Sequence, residues 1–331
     1  MSGRLALVTG VPGWAGNALL QAVLDSPGYD HVRCLVATGV PRGGDVENVT
    51  GDLRDPQSLE RFVAGGDGAD LFHFAGLIHP RRVRDLDKVN AQGTRDLVAA
   101  ADRVGVRRIV ALSSNSPVGV SRDPQTVFDE TTPCRPYLAY GRSKLAMEKA
   151  VQGARADWTI LRPCWFYGPG QPRRQTEFFR MVRAGKAPLV GGGRARRSVS
   201  YVDAIAAAAL LAAASDTAAR RVYWIADERP YPMSEIVATI EAVLRDDFGL
   251  SVEGGRMRLP GAAADAAFGV DAAMQRVGMY DQRVHVLGEM NKTIACSVER
   301  AKAELGWEPG PGLREGMRRS VEWCLANGHE L

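Results

Sequence analysis

The sequence predicts an α/β fold: a doubly wound parallel sheet with a smaller, mostly helical C-terminal lobe. Three observations predict it. Short β-branched runs alternate with helical periodicity through the first half of the chain, a glycine-rich turn joins the first run to the first helix, and the alternation gives way after Arg162 to Gly/Pro-rich loops. At 331 residues the chain exceeds the ~100–200 usual for one domain. We expect one domain over 1–165 with a returning segment at 200–226, and a second lobe from 166–199 and 227–331.

Strands are expected at 5–9, 32–36, 48–50, 71–74, 108–112 and 158–161, with helices filling most of the gaps. Gly and Pro cluster at 167–172 and 188–193, which should be long loops over the first domain's ligand. A helix starting near Tyr201 and a strand at 222–225 should return to the sheet. Helical periodicity then marks 232–247, 299–305 and 313–326, whereas 251–293 carries no clear pattern.

Composition narrows the function classes. The net charge of +4 comes from scattered arginines, among them Arg81, Arg82, Arg84, Arg173, Arg174, Arg194, Arg196 and Arg197. Without a long basic run, no nucleic-acid partner is expected and most of these read as solvated loop edges. The five cysteines are isolated and the histidines lack metal-ligand spacing, which predicts a reducing, cytoplasmic setting and no metal. The apolar stretch 204–214 is shorter than the ~18 residues of a membrane span, so it reads as a buried helix and no membrane partner is expected.

Residues 9–16, Thr-Gly-Val-Pro-Gly-Trp-Ala-Gly, follow an expected strand and open an expected helix. That context turns Gly10, Gly13 and Gly16 into a dinucleotide signature of the Rossmann type. Gly10 permits the tight turn, Gly13 lets the backbone approach a pyrophosphate, and Gly16 allows close helix packing. The second strand ends in Val36, Ala37 and Thr38 instead of the acidic residue that holds a ribose 2′-hydroxyl. This leans the cofactor toward NADP over NAD, with Arg42 as a 2′-phosphate partner or, equally, a solvated loop residue. Asp52 either reaches the adenine or simply ends a strand.

Tyr140 and Lys144 stand four residues apart in a helical pattern and share one face. A neighbouring ammonium favours the phenolate, so the pair reads as an acid/base in which Lys144 lowers the Tyr140 pKa. At this point the sequence resembles the extended short-chain dehydrogenase/reductases, the NAD-dependent epimerase/dehydratase family, over nearly its whole length. The matching pieces are TGVPGWAG at 9–16, GDL at 51–53, HFAGL at 73–77, VNAQGT at 89–94, LSSNSPVG at 112–119, YGRSK at 140–144, LRPCWFYGPGQ at 161–171, RSVSYVDA at 197–204 and AKAELGWEPG at 301–310.

The resemblance implies that Tyr140 is the acid/base, that Lys144 binds the nicotinamide ribose, that Ser114 assists, with Ser113 as the alternative, and that Asn90 braces the network. It places Trp14, Ala15, Leu53, Ala75, Gly76 and Pro163 at the cofactor, and Ile78, Ser116, Trp165 and Arg197 at the substrate. It also implies a homodimer through the helices at 90–104 and 140–153.

Departures from the family narrow the reaction. The Asp-Glu pair that moves protons in sugar-nucleotide 4,6-dehydratases is replaced by Asn115 and Ser116, which excludes dehydration; decarboxylation and 3,5-epimerisation lose their residues at the same positions. HFAGL and Arg197 are similar to UDP-glucose 4-epimerases and favour a nucleoside-diphosphate sugar, since a guanidinium fork pairs two phosphate oxygens. Ile78 and Trp165 stand where those enzymes are polar and are closer to the 3β-hydroxysteroid dehydrogenase and dihydroflavonol reductase branches, although Trp165 also reads as packing between domains. The expected activity is therefore hydride transfer on a nucleotide sugar, as 4-epimerase or 4-ketoreductase. An apolar alcohol dehydrogenase and a non-catalytic dinucleotide sensor are the alternatives.

Overall fold

The computed structural model describes residues 4–37 and 46–331. Seven parallel strands form one sheet: β1 (Arg4–Thr9), β2 (Tyr29–Val36), β3 (Val46–Thr50), β4 (Asp70–His73), β5 (Arg108–Leu112), β6 (Asp157–Pro163) and β7 (Arg221–Ile225). Their order is β7-β6-β5-β4-β1-β2-β3. Strands buried on both faces need apolar side chains in both directions, and β1 shows how this is met. Ala6 and Val8 join one core with Leu19 and Val23, while Leu7 joins another with Leu59, Phe62, Leu97 and Met147.

The helices supplying those residues are α1 (Trp14–Leu24) on one face, and α2 (Pro56–Val63), α3 (Gly93–Val104) and α4 (Leu138–Gln152) on the other. A π-helical turn, Asp87–Gln92, leads into α3 and carries Asn90. Because β1 pairs with both β2 and β4, the winding reverses there, and the carboxyl ends of β1 and β4 open a crevice. Doubly wound sheets bind their ligands in such crevices.

Beyond β6, the second part of the chain adds α5 (Arg173–Arg183), α6 (Val202–Ala214), α7 (Met233–Ala242), α8 (Gly261–Arg276), α9 (Gln282–Glu289), α10 (Glu299–Leu305) and α11 (Leu313–Ala326). The short strands Trp165–Tyr167 and Val199–Tyr201 pair in parallel in a sheet of their own, and β7 then pairs with β6, which brings the chain back to the main sheet. Trp224 and Trp307 are fully buried where the lobe meets the sheet, and the Trp307 indole donates to the Ala204 carbonyl at 2.9 Å.

Two expectations change. The 188–193 loop does not lie over the ligand crevice; Pro188–Val190 pairs with Met257–Leu259, and Gly193 packs on Ser234. The patternless 251–293 stretch forms two helices, α8 and α9, packed against each other. The alanines of α8 contrast weakly between its two faces, and α9 spans only Gln282–Glu289, so neither gives a clear periodic signal.

Candidate active site

The glycine turn closes on itself. Gly10 sits at φ +99°, and a Cβ there would lie 2.6 Å from the Phe74 carbonyl carbon. At Gly13 and Gly16 a Cβ would lie 2.7 and 2.2 Å from the Gly10 oxygen. Side chains are excluded at all three positions, so backbone alone lines the turn. No side chain caps α1 and no acidic residue occupies its first turn, leaving the amides of Trp14, Ala15 and Gly16 for an anion. The Trp14 indole turns away and donates to the Pro169 carbonyl at 2.6 Å, which holds the 167–172 loop against the turn.

The other expected cofactor residues fall into distinct surroundings. Ala75 donates its amide to Thr9 Oγ1 at 3.1 Å, at the crevice. Gly76 follows; a Cβ there would lie 3.7 Å from Lys144 Nζ. Pro163 ends β6 and accepts from the Asn115 amide at 3.1 Å. Leu53 is core, packed under Gly93. The Asp52 carboxylate is engaged by Arg54 at 2.6 Å, which holds its pKa below the usual range. Arg42 lies outside the described residues.

Tyr140 and Lys144 project from α4, whose first residue, Leu138, is held at φ +50°. A branched residue in that region costs roughly 1–3 kcal/mol and persists only when its surroundings over-determine it. Here the Tyr137 amide donates to the Ser116 carbonyl at 3.1 Å, and the Ala139 amide donates to Gln275 Oε1 at 3.1 Å. Gln275 in turn donates to Asp271, whose other oxygen meets His285 Nδ1 at 2.7 Å. Thus α8 and α9 fix the start of the helix that carries Tyr140 and Lys144.

The electrostatics differ from the sequence expectation. Burial pushes the Tyr140 hydroxyl up to about 12, partly offset by a hydrogen bond with Ser114, and Lys144 is not among the charges acting on it. Lys144 instead donates to the Leu112 carbonyl at 2.7 Å and the Met147 sulfur at 3.0 Å, and its own burial lowers it to about 8. At Tyr140 desolvation is the largest influence, and the Lys144 ammonium is aimed at the Leu112 carbonyl.

The two serines have different partners. Ser113 donates to Glu148, which Arg162 pairs at 2.7 Å, so Ser113 belongs to a buried structural network. Ser114 faces Tyr140 and lies 3.0 Å from Ser116 Oγ. Asn90 bonds the Leu77 amide at 2.7 Å, the Leu77 carbonyl at 2.9 Å and Ser143 at 3.0 Å, bracing the loop after β4 against α4. Below it, His73 bridges Thr9 and Thr94 and burial lowers it to about 3, so it stays neutral.

Of the residues expected at the substrate, Ile78 is 39% exposed. The Trp165 indole donates to Gln175 Oε1 at 3.1 Å and packs edge-on against Phe178. Arg197 is buried, donates to the Glu289 carbonyl at 2.5 Å and lies in the field of the Glu289 carboxylate. Sequence reasoning missed His79, Arg174 and Tyr280. His79 Nδ1 meets the Tyr280 hydroxyl at 2.7 Å, and the Arg174 charge acts on Tyr140, Tyr280 and His79. Arg174 read as a solvated loop edge, and no local spacing joins it to residues a hundred positions away.

Sheet, switch-point crevice and backbone-lined turn together define a dinucleotide-binding protein. Residues 6–226 match the model of the NAD dependent epimerase/dehydratase family, and the chain belongs to that family. It is 46% identical to the uncharacterized protein y4nL of Sinorhizobium fredii, over all of this chain and 98% of the relative. It is 27% identical to 3beta-hydroxysteroid-dehydrogenase/decarboxylase isoform 1 of Arabidopsis thaliana, over 96% of this chain and 79% of the relative. Among solved structures, MoeE5 in complex with UDP-glucuronic acid and NAD superposes with a TM-score of 0.74 at 24% identity, over 98% of this chain and all of that one. The family supports a nicotinamide cofactor; the lean toward NADP gains no support. No helix among the described residues is long and apolar enough to cross a membrane.

Proposed function

We propose that the protein transfers hydride at a secondary alcohol or ketone carried on a largely apolar molecule, using NAD(H) or NADP(H). The observation that carries this reading is Arg197. Its guanidinium is buried, bonded to a main-chain carbonyl and faced by the Glu289 carboxylate, so it is poorly placed to receive a diphosphate, which the same carboxylate would repel. The apolar replacements at Ile78 and Trp165 point the same way, as does the similarity to a hydroxysteroid dehydrogenase.

The residues fit the cofactor: the glycine turn admits only backbone, and the α1 amides are free for the pyrophosphate. Ala75, Gly76 and Lys144 would line the nicotinamide end. When bound, the nicotinamide supplies the hydride acceptor or donor. Tyr140, neutral at physiological pH because burial holds it near 12, is ready to donate its proton to a ketone oxygen, with Ser114 as second donor. This favours reduction at neutral pH. In the oxidative direction Tyr140 takes the alcohol proton, and rising pH should help. A homodimer through α3 and α4 belongs to this reading.

A nucleotide-sugar 4-epimerase or 4-ketoreductase is the second reading, favoured by the position of Arg197 beside the site and by the sugar-nucleotide complex of MoeE5. The test is a panel: purified protein, either nicotinamide cofactor, and apolar secondary alcohols and ketones set beside UDP-sugars. Turnover confined to the apolar compounds is expected. Turnover confined to UDP-sugars, with affinity lost in Arg197→Ala, would replace this reading by the second. A sensor would bind cofactor and turn over nothing.

A further inference from the structure

The α8–α9 segment presents an apolar surface that the active site does not use. Along α8, residues Ala262, Ala266, Val270, Ala273 and Val277 recur at helical spacing and all are exposed. The opposite face, with Ala264, Ala267, Asp271 and Gln275, is buried. Val270 is 53% exposed, Val277 73% and Met279 56%. An apolar stripe at this spacing normally faces a partner. This one faces outward.

Basic residues surround it. Arg276 and Arg283 are exposed on the same segment, and the loop bearing exposed Arg81, Arg82 and Arg84 is fastened to it by the Val83 amide on the Gly278 carbonyl at 3.3 Å. None of these five arginines makes an ion pair among the described residues. Of the acidic neighbours, Asp265 is paired by Lys292 and Arg122 at 2.5 and 3.3 Å, one oxygen of Asp281 accepts from the amides of Arg283 and Val284 at 2.9 and 3.0 Å, Asp85 is partly exposed and Asp87 is exposed. Exposed Ile78 and the His79–Tyr280 bond lie between this rim and Tyr140.

We propose that the α8 stripe and its arginine rim dock on an anionic lipid bilayer, lying in the interface with the active-site mouth turned toward it. The argument is charge complementarity. Aliphatic side chains flanked by five arginines that make no ion pair among the described residues, a net positive rim even beside Asp85, Asp87 and Asp281, match the acyl boundary and the anionic headgroups of a membrane surface. A second copy of this chain would bring the same arginines face to face. Surface docking needs no membrane span, so the expectation of no membrane partner, drawn from the absence of one, is revised. The inference rests on the reading of an apolar substrate, which a bilayer would hold, but vesicle binding can be measured without any substrate.

The experiment is co-sedimentation of the full-length protein with phosphatidylglycerol/phosphatidylcholine vesicles and with phosphatidylcholine vesicles alone, across a salt series. Binding to the anionic vesicles that weakens with salt is expected. Arg81→Glu with Arg82→Glu should loosen it by more than about 25-fold, at about fivefold or more per charge. Val277→Asp with Met279→Asp should abolish it. All four positions are exposed, so unchanged melting temperatures and unchanged turnover of a water-dispersed ketone serve as fold controls. No binding to anionic vesicles, or a concentration-dependent dimer that the Asp variants dissolve, would overturn the proposal. Failure of vesicle binding with apolar turnover intact removes the docking surface alone; vesicle binding with turnover only of UDP-sugars removes the substrate reading alone.

Discussion

The two walls of the crevice are built in opposite ways. The cofactor wall is backbone: one turn, three glycines and a helix N-terminus, all within eight residues of sequence. The wall proposed for the substrate is assembled from side chains drawn from the loop after β4, α5, the Arg196–Arg197 strand, and α8 and α9, with contacts such as His79 to Tyr280 spanning 201 positions. A local wall can be recognised in a sequence, and a non-local one cannot. The same contrast separates two buried histidines. His73, under the cofactor wall, is neutral between two hydroxyls, whereas at His285 the lowering by burial is overcome by Asp271 and Glu289, which together raise its pKa.

Several variants would break or sharpen that contrast. The largest effect is expected at the point where the walls meet: Tyr140→Phe should lower kcat by roughly 10²–10⁴-fold, the span typical of lost acid/base catalysis, with cofactor affinity measured by fluorescence titration unchanged. Arg162→Ala leaves Glu148 buried without its cation, and equilibrium unfolding should show a loss of about 3–5 kcal/mol. This would establish that Ser113 and Glu148 serve the sheet and not the chemistry.

Smaller effects belong to the substrate wall. Gln275→Ala removes the acceptor for the Ala139 amide, and a loss of about 1–3 kcal/mol of stability is expected. If the bond positions α4 as argued, kcat should fall with KM nearly unchanged, and Gln275→Glu, which keeps an acceptor but sets a carboxylate against Asp271, should not restore it.

The smallest effect is in pH dependence. His285, raised in the native state, contributes stability that is full below its unfolded pKa of ~6.5 and fades as pH rises through the higher native value. His73, lowered to about 3, acts in reverse: below pH ~6.5 the unfolded chain takes a proton that the native state refuses, so stability falls as the solution is acidified toward 3. His285→Gln should therefore lower the melting temperature more at pH 6 than at pH 9. An equal loss at both would sever His285 from Asp271.

What could be read in the sequence follows the same division. The sheet strands lay within a few residues of their expected places because β-branched runs and a glycine turn are local signals, and 299–305 and 313–326 formed helices at those bounds. Tyr140, Lys144, Ser114 and Asn90 came from short motifs. Arg174, His79 and Tyr280 carried no such signal; only the folded chain brings them to Tyr140. The surroundings of Tyr140 were hidden for a related reason. Spacing shows that Lys144 shares its helix face, but not that the ammonium turns to the Leu112 carbonyl.

Deuterium transfer tests the central claim most directly. A ketone-reducing assay run with cofactor deuterated at the reactive nicotinamide carbon should place one deuterium on the carbinol carbon of an apolar alcohol product, read by mass spectrometry, and Tyr140→Phe should abolish the transfer. Product without deuterium, or transfer at the same rate in the Phe variant, would contradict the assignment of Tyr140 to hydride chemistry.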